Sequence, residues 1–145
     1  MSHNLVIGID PDSDKHGVAI YRDGVLEDLA RFNTIELLNI IQYDSVLFSI
    51  EDVMANQFIY SRNQHSSKAA QSKIAMHIGR CQQAQVELMR WLDHTCNKYE
   101  LHKPTKNNWA KNKPMFKKVT GWAKKSNEDT RSAAYFGYLA LKGES

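Results

Sequence analysis

The fold is decided by residues 5–21, whose sequence is LVIGIDPDSDKHGVAIY. The apolar run that opens this stretch is almost entirely β-branched or aliphatic, which predicts a strand buried on both faces. Pro11 cannot donate a ladder hydrogen bond and the acidic residues after it favour a turn, so the strand is expected to end near Asp10. Residues 17–21 then predict the returning strand of a hairpin. Asp10 is therefore placed where it could bind a metal, although strands also end in aspartate because aspartate favours turns.

Length and composition favour an ordinary globular protein. The chain has 145 residues, of which 42% are hydrophobic and 24% charged, and we predict one domain over residues 1–145. No apolar run approaches the ~20 residues that cross a bilayer, and the N-terminus lacks the pattern of a signal peptide. Cys81 and Cys96 match no metal-binding or redox spacing, so we expect two free thiols and a cytoplasmic location.

The net charge of +3 conceals a strong asymmetry along the chain. Residues 1–60 carry ten acidic and three basic side chains, whereas residues 98–125 carry nine lysines and one acid. Four aromatic residues are interleaved with these lysines, namely Tyr99, Trp109, Phe116 and Trp122. A basic segment of this kind is also found as a solvated loop, but its charge density favours binding to a nucleic acid. Trp109 and Trp122 are expected to be packing residues rather than base-stacking platforms.

The rest of the chain alternates between strand and helix patterns. The predicted strands are residues 16–22, 25–32, 45–50 and 97–102, and the predicted helices are residues 35–42, 67–93, 115–122 and 131–141. Asn33 or Thr34 is expected to cap the first helix. The helix over residues 67–93 would be roughly 40 Å long, which is longer than a domain of this size needs and leaves a face for a partner.

A second buried strand, residues 45–50, also ends on acids, Glu51 and Asp52. If the two strands are parallel neighbours, Asp10 and Glu51 lie side by side. Asp129 stands at the start of the last helix, although Ser126 and Asp129 have the spacing of a capping box, which would explain this acid without chemistry. Three carboxylates gathered in this way could hold Mg²⁺ or Mn²⁺. Two such ions would activate a water and stabilise the leaving oxygen in phosphodiester hydrolysis.

The combined motifs resemble the RuvC family of Holliday junction resolvases. In chain order, the motifs are the opening hairpin at residues 8–12 and 17–19, the strand end at residues 50–53, the long helix, and Asp129 followed by Ala133 and Ala134. The resemblance implies an RNase H-like α/β fold, a mixed five-stranded sheet flanked by helices. It also implies a homodimer that nicks two symmetric strands of a four-way junction. The chain is similar to the compact members encoded by bacteriophages, which implies the host bacterial cytoplasm as its location.

The same resemblance implies Asp10, Glu51 and Asp129 as ligands of two Mg²⁺ ions, with Mn²⁺ as a substitute. Bacterial members carry a second acid three residues after the first in the last motif, where this chain has Ser132. Glu128 or Asp12 is expected to compensate. Family members often have an aromatic wedge residue shortly after the strand-ending glutamate. Met54 stands near that place, with Phe58 and Tyr60 further along.

Basic residues in two segments are candidate DNA contacts. Those after Glu51 are Arg62, His65 and Lys68, and those in the basic segment are Lys111, Lys113, Lys117 and Lys118. Each could equally be a solvated charge, and one lysine near the metals could stabilise the transition state.

We therefore expect a homodimeric, Mg²⁺-dependent endonuclease that resolves branched DNA, joined through the long helix. Two alternatives stay open. One is an RNase H-like nuclease acting on flaps, forks or RNA–DNA hybrids, and the other is a non-catalytic junction-binding protein, because Ser132 replaces an acid. The sugar-kinase and actin-like ATPases share the strand–Asp–turn–strand opening but need a second domain, for which the chain is too short.

Overall fold

The computed structural model describes residues 4–40, 45–55 and 67–143. In chain order the elements are β1 (Leu5–Asp10), β2 (His16–Arg22), β3 (Val25–Phe32), α1 (Thr34–Asn39), β4 (Val46–Glu51), a 3₁₀ turn (Val53–Ala55), α2 (Lys68–His94), β5 (Lys98–His102), α3 (Lys113–Thr120) and α4 (Glu128–Gly143). The predicted strands agree with these bounds to within one residue at each end. The predictions for Phe58, Tyr60, Arg62 and His65 lie outside the described residues.

The strands form one mixed sheet in the order β3-β2-β1-β4-β5. β1, β2 and β3 are antiparallel neighbours, whereas β4 runs parallel to β1 and β5 runs parallel to β4. Helices pack on both faces. The predicted α/β class, with a mixed five-stranded sheet flanked by helices, is confirmed, and so is the parallel pairing of the two strands that end in acids.

Alternation along the strands divides the core into two layers. One face of the sheet packs with α1 and the C-terminal part of α2, through Ile7, Ile9, Phe48, Ile50, Leu37, Leu88 and Leu92. The opposite face packs against α4, through Val6, Ala19, Tyr21, Leu47, Ala133 and Ala134. Trp109 and Phe116 are buried in this second layer and Trp122 packs against it, so the expectation that both tryptophans are packing residues is confirmed.

Glycines bring α4 unusually close to the middle of the sheet. A Cβ atom on Gly8 would overlap the carbonyl oxygen of Ala133 and lie 2.7 Å from the backbone nitrogen of Gly137. A Cβ atom on Gly17 would lie 2.5 Å from the carbonyl oxygen of Asp129. The absence of side chains at these positions lets the helix backbone rest directly on β1 and β2.

Two buried hydroxyl groups of the sheet hold α4 at this distance. The Tyr21 hydroxyl donates to the carbonyl oxygen of Ala134 at 2.6 Å, and the Ser49 hydroxyl donates to that of Phe136 at 2.6 Å. Burial raises the pKa of Tyr21, so its hydroxyl stays a donor. Packing and hydrogen bonds therefore fix the register of α4 against β1, β2 and β4.

Three of the predicted helices have wrong boundaries. α1 ends at Asn39, and residues 41–42 of its predicted span lie outside the described residues. α3 begins two residues earlier than predicted, because Pro114 lies in its first turn, where no backbone donor is needed, and the side chain of Asn112 caps it. It ends at Thr120, since Gly121 follows in the left-handed conformation at φ 73°. α4 begins at Glu128, three residues before its predicted start.

The predicted capping pair at the start of α4 was also wrong. The side chain of Asn127 accepts from the backbone nitrogen of Thr130 at 2.8 Å, and the Thr130 hydroxyl accepts from that of Asn127 at 2.9 Å. Ser126 instead accepts a hydrogen bond from Arg131 at 3.0 Å. Asp129 is therefore not used for capping, which leaves its carboxylate for another role. At the start of α1, the alternative that names Asn33 as the cap is confirmed by its reciprocal hydrogen bonds with Glu36.

The long helix α2 has 27 residues, lies within one residue of its predicted bounds at each end, and is capped by Ser67. Its buried side chains are Gln85, Leu88 and Leu92, all in its C-terminal half. Within the described residues no helix combines the length and the apolar character needed to cross a membrane. Both cysteines are free thiols, as expected.

Candidate active site

The sheet places Asp10 and Glu51 next to each other. In the parallel pairing of β1 with β4, Ile9 lies opposite Ile50, and each acid is the last residue of its strand. Since side chains alternate along a strand, both carboxylates lie on the face of the sheet that packs against α4. This juxtaposition follows from the parallel register alone.

Asp129 is brought to the same place by the close approach of α4. Gly17 pairs with Asp10 across β1 and β2. A Cβ atom on Gly17 would lie 3.1 Å from the Cβ atom of Asp129, so the first turn of α4 rests on the strand residue beside Asp10. Three predicted acids, from two strands and one helix, thus converge at the C-terminal edge of β1 and β4.

Burial and electrostatic repulsion disfavour the charged forms of Asp10 and Glu51. The pKa of Asp10 is raised first by burial, then by the negative charges of Glu51 and Asp129, and least by that of Asp12. The pKa of Glu51 is raised by burial and then by the charge of Asp129. Without a cation, Asp10 and Glu51 therefore hold protons that free carboxylates would release.

Ser132 contacts the first of these acids. Its side chain is buried and hydrogen-bonds to the carboxylate of Asp10, which lowers the pKa of Asp10 against the larger effects that raise it. The sequence marks this position only as a missing acid. Its helical spacing from Asp129 is the signal that places it on the same face of α4. Ser132 thus orients Asp10 by donating a hydrogen bond.

The donor set fits a hard divalent cation. All of the converging groups are carboxylate oxygens, which Mg²⁺ and Mn²⁺ prefer, and a cation would relieve the repulsion that raises the pKa of Asp10 and Glu51. Across residues 4–40, 45–55 and 67–143, no three His, Cys, Asp or Glu side chains are already arranged as a complete ligand set. The fit therefore lies in the chemistry of the donors and not in a preformed coordination geometry.

The other predicted acids lie differently. Glu128 is exposed at the first position of α4. Asp12 behaves as the turn residue that its sequence context predicts, since its carboxylate accepts from the backbone nitrogen of Asp14 at 3.3 Å. The backbone nitrogen of Asp12 in turn donates to Nδ1 of His16 at 3.2 Å. Burial lowers the pKa of His16 to about 4, so at neutral pH the uncharged imidazole holds this turn beside Asp10.

The predicted DNA-contacting lysines within the described residues are all exposed. Lys68 is the first residue of α2, Lys111 precedes α3, and Lys113, Lys117 and Lys118 lie within α3. Arg131, which the sequence did not single out, connects this segment to the acids. Its guanidinium donates to the carbonyl oxygen of Ala110 at 2.9 and 3.1 Å, which fixes the neighbouring Lys111 relative to the first turn of α4.

Replacing Ser132 by alanine tests its effect on Asp10. Without the hydroxyl the pKa of Asp10 rises further, so the acid limb of the pH profile for the cleavage that the motifs predict should move to higher pH. At pH 7 the rate should fall by roughly 10-fold, because a hydrogen bond to a charged group contributes about 1.5–3 kcal/mol. A pH–rate profile of wild type and variant on a branched DNA checks this, and coincident profiles would show that Ser132 does not act on Asp10.

Comparison with known proteins shows a similarity of fold. No protein-family profile matches the chain, and no curated protein sequence matches it. Among solved structures, T. thermophilus RuvC in complex with a Holliday junction substrate aligns over 99% of this chain and 98% of that chain, with a TM-score of 0.62 and 14% sequence identity. The similarity is one of fold: the chain has a RuvC-like, RNase H-like fold, as its motifs predict.

Proposed function

We propose that this chain is a metal-dependent, structure-selective endonuclease that resolves four-way and other branched DNA junctions. The observation that carries the proposal is the convergence of Asp10, Glu51 and Asp129 at one edge of a RuvC-like sheet, with buried like charges that a cation would neutralise. The neighbour of similar fold is bound to a Holliday junction substrate, which favours the same substrate class here.

Asp10, Glu51 and Asp129 are the residues that would hold the metal, which we propose to be two Mg²⁺ ions with Mn²⁺ as a substitute. Glu128 or Asp12 would complete the ligand set. The chemistry that such ions supply to phosphodiester hydrolysis is activation of a water and stabilisation of the leaving oxygen. The chain itself contributes the placement of the acids, since β1, β4 and the first turn of α4 are held together by backbone packing.

We assign DNA binding to the basic segment, residues 98–125. The segment from residue 98 to residue 125 carries nine lysines and one acid, and its exposed lysines would contact phosphates at sites that Arg131 ties to the active site. Three further proposed contacts lie between Glu51 and the long helix α2 or at its start. They are Arg62, His65 and Lys68, which is the first residue of α2. Phosphate contacts of this kind give affinity without sequence preference.

Paired cutting would require two copies of the chain. We propose a homodimer through α2, because the part of this helix before Gln85 contributes no buried side chain although it carries Ile74, Met76 and Ile78, and Met76 is 58% exposed. From the motifs alone we also propose a bacteriophage-type member acting in the bacterial cytoplasm. Two symmetric active sites would then nick opposing strands of one junction.

The test compares DNA substrates of equal sequence content. Wild-type protein with Mg²⁺ is given end-labelled four-way junction, linear duplex, flap, fork and RNA–DNA hybrid. We expect symmetric paired nicks in the junction and little cleavage of linear duplex. Faster cleavage of flaps, forks or hybrids would favour the broader RNase H-like nuclease. Tight junction binding in EDTA, with no nicking after Mg²⁺ or Mn²⁺ is added, would favour a non-catalytic junction-binding protein.

The proposed lysine contacts predict a change in salt dependence. Replacing Lys117 and Lys118 by alanine should lower the slope of log affinity against log salt by about 2, since each lost phosphate contact removes about one released counterion. Replacing Lys142, an exposed lysine at the far end of α4 that stacks on Tyr138, is the matched control and should leave the slope unchanged. Fluorescence anisotropy on a labelled junction in EDTA measures both. Equal slopes for all three proteins would remove α3 from the DNA-binding surface.

A further inference from the structure

Two glutamines of α2 hold the turn that follows Glu51. Gln85 is fully buried, and its amide nitrogen donates to the carboxylate of Asp52 at 2.9 Å while its amide oxygen accepts from the backbone nitrogen of Met54 at 3.2 Å. One turn earlier, the amide of Gln82 donates to the carbonyl oxygen of Val53 at 3.2 Å. The long helix thus hydrogen-bonds to three consecutive residues of this turn.

Asp52 is the centre of these contacts. Its backbone nitrogen donates to the carbonyl oxygen of His102 in β5 at 2.7 Å, and its own carbonyl oxygen accepts from the backbone nitrogen of Ala55 at 3.1 Å. Its carboxylate also accepts from the backbone nitrogen of Met54 at 3.2 Å. The residue directly after Glu51 is therefore fixed through its nitrogen, its carbonyl oxygen and its side chain.

The two consecutive acids point in opposite directions. Glu51 lies on the face of the sheet that packs against α4, whereas Asp52 reaches α2 on the other face through Gln85. Because both the side chain and the backbone of Asp52 are hydrogen-bonded, a shift of the Asp52 backbone that broke these bonds would also rotate the peptide that joins it to Glu51. The hydrogen bond to Gln85 consequently acts on the direction of the Glu51 carboxylate through one backbone unit.

A buried glutamine at this position is not needed for packing. Gln85 lies on the same helical stripe as Leu88 and Leu92, where an apolar side chain would fill the space without the cost of burying an amide. Its two polar atoms are both satisfied by the turn after Glu51. Such a fully satisfied buried polar group specifies one arrangement of its surroundings.

We propose that Gln85 is a positioning residue: by holding Asp52 and Met54, it keeps the carboxylate of Glu51 directed at Asp10 and Asp129. This inference rests on the proposed function, because it assigns the purpose of the turn to the same metal site. It adds α2 to the active site as the element that orients one of its acids.

A donor–acceptor exchange tests the inference. Gln85→Glu places its carboxylate against that of Asp52. The variant should bind Mn²⁺ more weakly and have a kcat about 10-fold lower, with KM little changed. Small misplacements of a reacting group have effects of this size or larger. Combining Gln85→Glu with Asp52→Asn restores one donor and one acceptor and should return both values to within about 3-fold of wild type. Lys142→Glu, which places a negative charge at an exposed site near the C-terminal end of α4 and outside α2, is the control.

Calorimetric titration with Mn²⁺, single-turnover cleavage of a junction and thermal melting in EDTA give separate readouts. If Gln85→Glu does not fold, Gln85→Met removes the hydrogen bonds at similar volume and takes its place. A lower melting temperature with unchanged Mn²⁺ affinity and kcat would show a structural role only and overturn the inference. If wild type cleaves no branched DNA, the proposed function fails, while the Mn²⁺ affinities of the variants still decide whether Gln85 orients Glu51.

Discussion

Replacing Asp10 by asparagine should abolish most of the cleavage while making the metal-free protein more stable. The rate on a four-way junction is expected to fall by about 10³-fold, because the site loses a carboxylate ligand and with it several kcal/mol of transition-state stabilisation. The side chain keeps its size, and its amide oxygen can still accept the hydrogen bond from Ser132. Folding is therefore preserved.

The stability gain follows from the direction of the pKa shifts. Asp10 and Glu51 have higher pKa values in the folded protein than the 3.8 and 4.5 of the free side chains, so the folded state binds more protons than the unfolded state. Stability is then highest below these free values and is lost as pH rises through the folded ones. In EDTA, wild type should lose stability between about pH 5 and pH 8, and Asp10→Asn should lose less, with a difference on the order of 1–2 kcal/mol at pH 8.

Thermal melting in EDTA at several pH values and single-turnover cleavage in Mg²⁺ measure the two effects on the same samples. Asp14→Asn is the matched control, because Asp14 is an exposed acid of the turn after β1. It should change neither value appreciably. Loss of cleavage together with a lower melting temperature at pH 8 would mean that Asp10 has a structural role instead.

Replacing Gly8 by alanine should be among the most destabilising single changes in the protein. The added Cβ would overlap the backbone of Ala133 and approach Gly137, and neither backbone segment can rotate away as a side chain could. α4 would have to move outward, at an expected cost of about 3 kcal/mol, which lowers the melting temperature by roughly 10 °C. Because Asp129 and Ser132 belong to α4, cleavage per folded molecule should fall as well.

Gly79→Ala is the matched control for this substitution. Gly79 lies in α2, where an added Cβ would meet no atom of the described residues within 4 Å. Alanine has the higher helix propensity, so the change should raise the free energy of unfolding by up to about 1 kcal/mol. Urea unfolding monitored by circular dichroism measures both variants. A Gly8→Ala protein as stable as wild type would show that α4 does not rest on β1 as described.

Much of the fold was predictable because two apolar runs of the sequence have the same form. Residues 5–9 are apolar, residues 46–50 are apolar except for Ser49, and each run is followed by an acid, a pattern that is typical of parallel strands buried on both faces. Parallel pairing places Asp10 beside Glu51, so this placement can be predicted without knowing any side-chain contact. The position of Asp129 was less accessible, since it depends on glycine contacts between distant parts of the chain.

The sequence could not show the contacts of individual side chains, because these contacts depend on where each side chain points. Ser132 differs from an acid in charge, but only the contact with Asp10 reveals it as a hydrogen-bond donor. Gln85 fits the buried stripe of α2 as well as an apolar residue would, and its bonds to the turn after Glu51 join residues more than thirty positions apart. The cap of α4 was misassigned because Ser126 and Asn127 are both good caps, and the side chain of Ser126 instead accepts a hydrogen bond from Arg131.

The most direct test of the central claim is to locate the metal. Crystals of the protein soaked in Mn²⁺ and measured at the manganese absorption edge should show anomalous density between the carboxylates of Asp10, Glu51 and Asp129. The same soak of Asp10→Asn crystals should show weaker density or none. Density at another group of residues in a protein that cleaves junctions, or no bound Mn²⁺ at all, would contradict the account.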